Sequence, residues 1–93
     1  MADRTRDWSK ADLTSDTDLG RVYHMLLDGW RSVRHCDRWQ VLRFNQNVSD
    51  LRRIGRERGF TVEDRWEPKE EMPAGAKRRV KQHRIVWEEN GGA

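Results

Sequence analysis

Residues 44–66, FNQNVSDLRRIGRERGFTVEDRW, decide how this chain folds. Phe44, Val48, Leu51 and Gly55 follow one another at intervals of four, three and four. That spacing stacks them on one side of a helix and turns Gln46, Ser49, Asp50 and Arg53 to the other. Gly59 then stops the helix, because a residue without Cβ accepts the left-handed backbone of a helix C-terminus. From Phe60 the period changes to two. Phe60, Val62 and, past a polar Asp64, Trp66 alternate with Thr61, Glu63 and Arg65, as in a strand with one covered face. The stretch is therefore a helix with a wet, arginine-rich face that runs directly into a strand.

Upstream, Ser15 and Asp18 have the spacing of a capping box, so a helix is expected to start there. Leu19, Val22, Tyr23, Leu26 and Leu27 give it one apolar stripe, and Gly29 ends it. Trp30–Val33 resembles a short strand or extended turn. A second helical piece is expected over about 34–41, with Cys36, Trp39 and Leu42 spaced by three. Downstream, His83, Ile85 and Trp87 share one side of a strand that would pair back onto Phe60–Trp66. The connection from Pro68 to Arg78 contains Pro73 and Gly75 and is too long for a tight turn, so it is expected to be a mobile wing. The periodic segments give one domain over 15–89, between a flexible arm at 1–14, with its single aromatic Trp8, and a flexible tail at 90–93. Val22, Leu26, Phe44, Val48, Leu51, Phe60, Val62 and Ile85 are its expected core, and Trp30, Trp39, Trp66 and Trp87 are expected within or beside it.

Composition narrows the function classes. Ninety-three residues, 34% of them hydrophobic, make one small domain with a modest core. The charged fraction of 38% and a mean hydropathy of −1.11 approach the range of disordered chains, but five tryptophans and clear periodicity argue for a folded centre. Nineteen bases against sixteen acids leave a net charge of only +3, so the distribution of charge matters more than its sum. Five aspartates fall in the first eighteen residues, whereas Arg52–Arg58 and Lys77–Arg84 are basic. A single cysteine, Cys36, allows no internal disulfide, and no apolar run approaches the roughly 20 residues of a membrane span. A soluble, cytoplasmic protein that makes no use of the membrane is expected.

From Asp18 to Trp87, the succession DLGRVYHMLLDGW, a short helix, FNQNVSDLRRIGRERGF and a hairpin resembles the small winged helix-turn-helix proteins of phages and prophages. The most specific local match is NVSDLRR, Asn47–Arg53, which resembles their recognition helix. The resemblance implies an α+β fold of three helices with a two-stranded wing. The chain departs from the family pattern where RERGF lengthens the third helix and where Arg38, Trp39 and Gln40 replace small apolar residues of the second. The resemblance also implies a role in binding double-stranded DNA, as a transcription regulator or an architectural factor. A helix in the major groove needs amides and guanidinium groups near its N-terminal half. Asn45, Gln46 and Arg53 meet that demand, with Asn47 and Ser49 adding contacts to bases or phosphates and Arg43 meeting phosphate just ahead of the helix. Asp50 shares the outward face and, unless it pairs with Arg53 three residues on, repels the DNA backbone, although an acid can also accept from cytosine. Lys77, Arg78, Arg79 and Lys81 of the wing would reach neighbouring phosphates or the minor groove.

Other functions find less support. His24, His35, Cys36 and His83 lack the paired spacing of a zinc site, so no metal or cofactor is expected. No phosphate-cradling loop or activated nucleophile is present in a recognisable motif, so no catalytic residue is assigned and an enzyme is not expected. The alternative of a different class is a phage-type module that docks on and inhibits a host protein such as a defence nuclease. The near balance of acids and bases and the outward Asp50 favour it.

Overall fold

The computed structural model describes residues 11–88. They form an α+β unit with helices α1 (Asp18–Asp28), α2 (Cys36–Trp39) and α3 (Phe44–Arg58), then an antiparallel hairpin of β1 (Phe60–Trp66) and β2 (Lys81–Trp87). Short 3-10 turns at Val33–His35 and Lys69–Glu71 precede α2 and open the hairpin connection. Phe60 pairs with Trp87, Val62 with Ile85 and Trp66 with Lys81. Arg31 adds a single bridge to the free edge of β2, exchanging both backbone hydrogen bonds with His83 at 2.9 and 2.8 Å. The order helix, one-residue strand, two helices and hairpin is compatible with a winged helix.

Helix α3 and β1 form as their periods require. Phe44, Val48, Leu51 and Gly55 are buried, joined by Asn47 and Ile54, and the helix ends at Gly59 with a φ of 97°. The eight expected core residues all lie in one cluster, to which Met25, Val41 and Ile54 are added. The buried side of α1 is rotated from the expected stripe. Val22, Met25 and Leu26 carry it, while Leu27 is 41% exposed, because α3 and the chain before α1 cover α1 from the other side.

Several sequence expectations are corrected. The cap of α1 is Thr17, whose hydroxyl accepts from the Gly20 N–H at 2.9 Å, and not Ser15. The reciprocal capping pattern occurs instead at Ser32, which accepts from the Arg34 N–H and donates its own N–H to His35 Nδ1 at 3.0 Å. A nitrogen that accepts must be unprotonated, and burial first, then the charge of Arg31, hold the His35 pKa below its usual value. The second helix is a 3-10 turn followed by four residues, shorter than the expected 34–41. Residues 11–14, assigned to the arm, pack instead: Ala11 and Leu13 lie against the core, and the Ala11 carbonyl accepts from Arg58. Trp8 and the 90–93 tail lie outside the described residues. Trp30 and Trp39 are half-buried as expected, but Trp66 is 58% exposed, because the core ends before the hairpin does, and Trp87 is 43% exposed although its ring lies 5.0 Å from that of Phe60 and its Nε1 donates to the Tyr23 hydroxyl.

Gln40 is the one non-glycine residue with positive φ among the described residues, at φ 57° and ψ 48° in the α2–α3 turn. Its N–H donates to the Asp37 carbonyl, and its own carbonyl accepts from Arg21 Nε. Left-handed backbone costs a residue with a Cβ about 1–2 kcal/mol, and glycine forfeits roughly 0.5–1 kcal/mol in entropy. Gln40→Gly should therefore stabilise the protein by up to about 1 kcal/mol in urea unfolding. A net loss would mean that the glutamine side chain itself holds the turn.

Candidate nucleic-acid interface

Because one side of α3 is core, its other side is a regular polar surface. What aims it is Asp18. From the first turn of α1, its carboxylate accepts the Leu42 N–H at 2.9 Å, the Arg43 N–H at 3.0 Å and Asn47 Nδ2 at 2.6 Å, with Arg21 at 3.6 Å. Arg43 is the N-cap of α3 and its side chain makes no cap bond, so the cap comes from another helix. Burial alone would raise the Asp18 pKa. The bonds from Leu42, Arg43 and Asn47 outweigh it and hold the carboxyl below its usual range. The negative charge at the positive end of α3 also suits the helix dipole.

Arg43, Asn45, Gln46, Ser49 and Arg53 are exposed, with side chains on the solvent side of this helix or just ahead of it. Asn47 is not among them. It is buried and committed to Asp18, so it is withdrawn from the set of base or phosphate contacts. Asp50 accepts from Gln46 Nε2 at 3.1 Å, one turn earlier. The outward acid therefore engages one of the two residues best suited to reading a base.

Two arginines that sequence reasoning did not single out extend the surface toward the hairpin. Arg52 donates to the Val62 carbonyl at 3.0 Å and pairs with Asp64, tying α3 to the open edge of β1. Arg56 is exposed one turn on, and together with Phe60, Thr61 and Val62 the two line a shallow groove of about 290 Å³. The i, i+4 spacing of Arg52 and Arg56 was the available signal. Asp64 also bonds His83 Nδ1 at 2.8 Å across the hairpin; burial opposes its charge, but the bonds from Arg52 and His83 prevail and its pKa is lowered.

The hairpin connection is anchored where a mobile wing was expected. Glu67, 1% exposed, receives both Arg34 Nε at 2.8 Å and Arg34 Nη2 at 3.1 Å, and Arg34 also donates to the Arg78 carbonyl at 2.8 Å. The hydrogen bonds from Arg34 lower the Glu67 pKa. Glu71 accepts from Gln82 Nε2 at 2.9 Å and from Arg65 at 3.3 Å, fixing the 3-10 turn to β2. Arg65 and Arg84 both stand over Trp30, their guanidinium carbons 4.5 and 4.7 Å from its ring centroid. This frame presents Lys77, Arg78, Arg79 and Lys81 to solvent, and among the described residues no acid pairs with any of the four.

Among the described residues no three His, Cys, Asp or Glu side chains converge as a metal site would require, and no helix is long and apolar enough to cross a membrane. The Cys36 thiol is pushed up by burial, then by the charges of Asp18 and Asp37, which disfavours its nucleophilic form. Comparison with known proteins gives no match to a family model, a curated protein or a solved structure.

Proposed function

We propose that this chain is a winged helix-turn-helix protein of phage or prophage type that binds double-stranded DNA. In this reading α3 enters the major groove with Asn45, Gln46, Ser49 and Arg53 toward the bases, and Arg43 meets phosphate at its entry. Arg56 extends the phosphate contact toward the hairpin, and Lys77, Arg78, Arg79 and Lys81 reach a neighbouring stretch of backbone. One observation carries it: a helix buried along one side and polar along the other, capped from a second helix, beside a hairpin connection whose cations have no acidic partner among the described residues. Regulation of transcription is the process such binding would serve.

The test is selection from random duplexes followed by binding at several salt concentrations. Arg53→Ala and Gln46→Ala should each lose about 1–3 kcal/mol of discrimination at one base position, with nonspecific affinity changing much less. Substituting one wing cation should instead weaken all sequences alike and lower the salt slope by about 0.9. Wild type that enriches no sequence sinks base reading by α3.

A second reading rests on Leu42, which is 89% exposed in the turn that delivers α3. With Gln46 held by Asp50, an apolar side chain at that end suits docking on a host protein, including inhibition of a nuclease. Undetectable duplex binding at low salt, together with a one-to-one complex that Leu42→Ser abolishes, would select it.

A further inference from the structure

We propose that Trp66 is a stacking platform for an unpaired nucleobase, with Lys81 and the adjoining cations holding the phosphates on either side; this deepens the nucleic-acid reading above and rests on it. Trp66 ends β1 and Lys81 begins β2 directly opposite. Strand alternation places Trp66 on the same face as Phe60 and Val62, which are buried, yet Trp66 is 58% exposed. The ring pair of Phe44 and His83, centroids 5.8 Å apart, lies two positions nearer the core along β2. Beyond it the sheet face carries a large flat side chain into solvent, where threonine or valine would satisfy the strand equally well.

The surroundings of that indole define what it suits. Lys81 Nζ stands 5.1 Å from its ring centroid, and Lys77, Arg78 and Arg79 come immediately before β2 with no acidic partner among the described residues. Glu71, the nearest acid of the 3-10 turn in sequence to these cations, is occupied by Arg65 and Gln82. An aromatic plane among unpaired cations matches a base attached to a phosphodiester chain. Stacking is available only to a base released from its own neighbours, so the ligand is a single strand, an overhang or a frayed duplex end. A base paired within a continuous duplex keeps both faces covered.

The full chain is compared with Trp66→Thr, which retains strand propensity, and Trp66→Phe, which retains a smaller ring; thermal melts establish that both fold. The probes are a short oligodeoxythymidylate, an abasic phosphodiester strand of equal length and a blunt duplex. Trp66→Thr should weaken the oligodeoxythymidylate roughly tenfold to a hundredfold while Trp66→Phe recovers much of the loss, and the abasic strand and blunt duplex should change by less than about twofold. Equal losses on the thymidylate and abasic strands, or no loss on either, would overturn the stacking role. Wild type that selects duplexes but ignores the thymidylate would overturn this inference and leave base reading by α3 intact. Stacking that depends on Trp66, with Arg53→Ala and Gln46→Ala silent on every duplex, would do the reverse.

Discussion

Gly55→Ala is expected to destabilise the protein by about 3 kcal/mol or more, even though alanine is the better helix former by about 1 kcal/mol. A Cβ at Gly55 would stand 2.3 Å from the Phe60 carbonyl oxygen and 2.9 Å from its ring. No rotamer relieves a clash with a backbone oxygen, so the hairpin must shift away from α3. That shift would loosen Phe60 from the core and strain the Arg52 bonds to Val62 and Asp64. Ser49→Ala supplies the control, an exposed change in the same helix where propensity acts alone and a gain of up to about 0.5 kcal/mol is expected. Urea unfolding of the two variants separates the effects. Equal stability of Gly55→Ala and wild type would mean that the α3–β1 corner tolerates a wider spacing than the structure has.

The same corner illustrates how far the sequence could be read. Helix α3 and β1 were legible because each repeats its period long enough to exclude the alternative, and Gly55 fell naturally on the buried stripe. Gly20 did not stand out, although a Cβ there would lie 1.6 Å from the Thr14 carbonyl oxygen; the crossing chain that forbids it has no local signature. Helix α2 is four residues long, about one turn, and no period can be recognised in so short a segment. Asn47 was assigned outward by its chemistry against its spacing, since three residues after Phe44 it belongs to the core side. Trp66 had the opposite history: its alternation suggested cover, but how far α3 and α1 reach along the hairpin is a tertiary fact. Glu67 was invisible because its partner Arg34 is 33 residues away.

Asp18→Asn is expected to cost about 3 kcal/mol at neutral pH, since three donors lose a charged acceptor and such bonds contribute roughly 1.5–3 kcal/mol each without adding fully. The cost should fall mainly on the α2–α3 turn and the first turn of α3. Its pH dependence has a definite sign. The folded carboxyl has a pKa below its ordinary 3.8, so its contribution is fully present above that value and is lost as pH falls through the folded pKa. Asp64 and Glu67 are also lowered, so wild type and variant will both weaken in acid; only the difference between them isolates Asp18. Urea unfolding should show a constant gap between the two proteins at neutral and mildly acidic pH, which narrows below 3.8. A gap that stays constant into strong acid would mean that Asp18 acts through shape rather than charge. A gap that opens as pH falls would contradict the role of the Asp18 carboxylate as a charged acceptor outright. If the chain binds DNA as proposed, the variant should also lose discrimination more than wing-dependent affinity, because the wing is anchored by Glu67 and Glu71 and not by Asp18. A loss spread evenly over both would mean that α3 and the wing do not depend separately on their anchors.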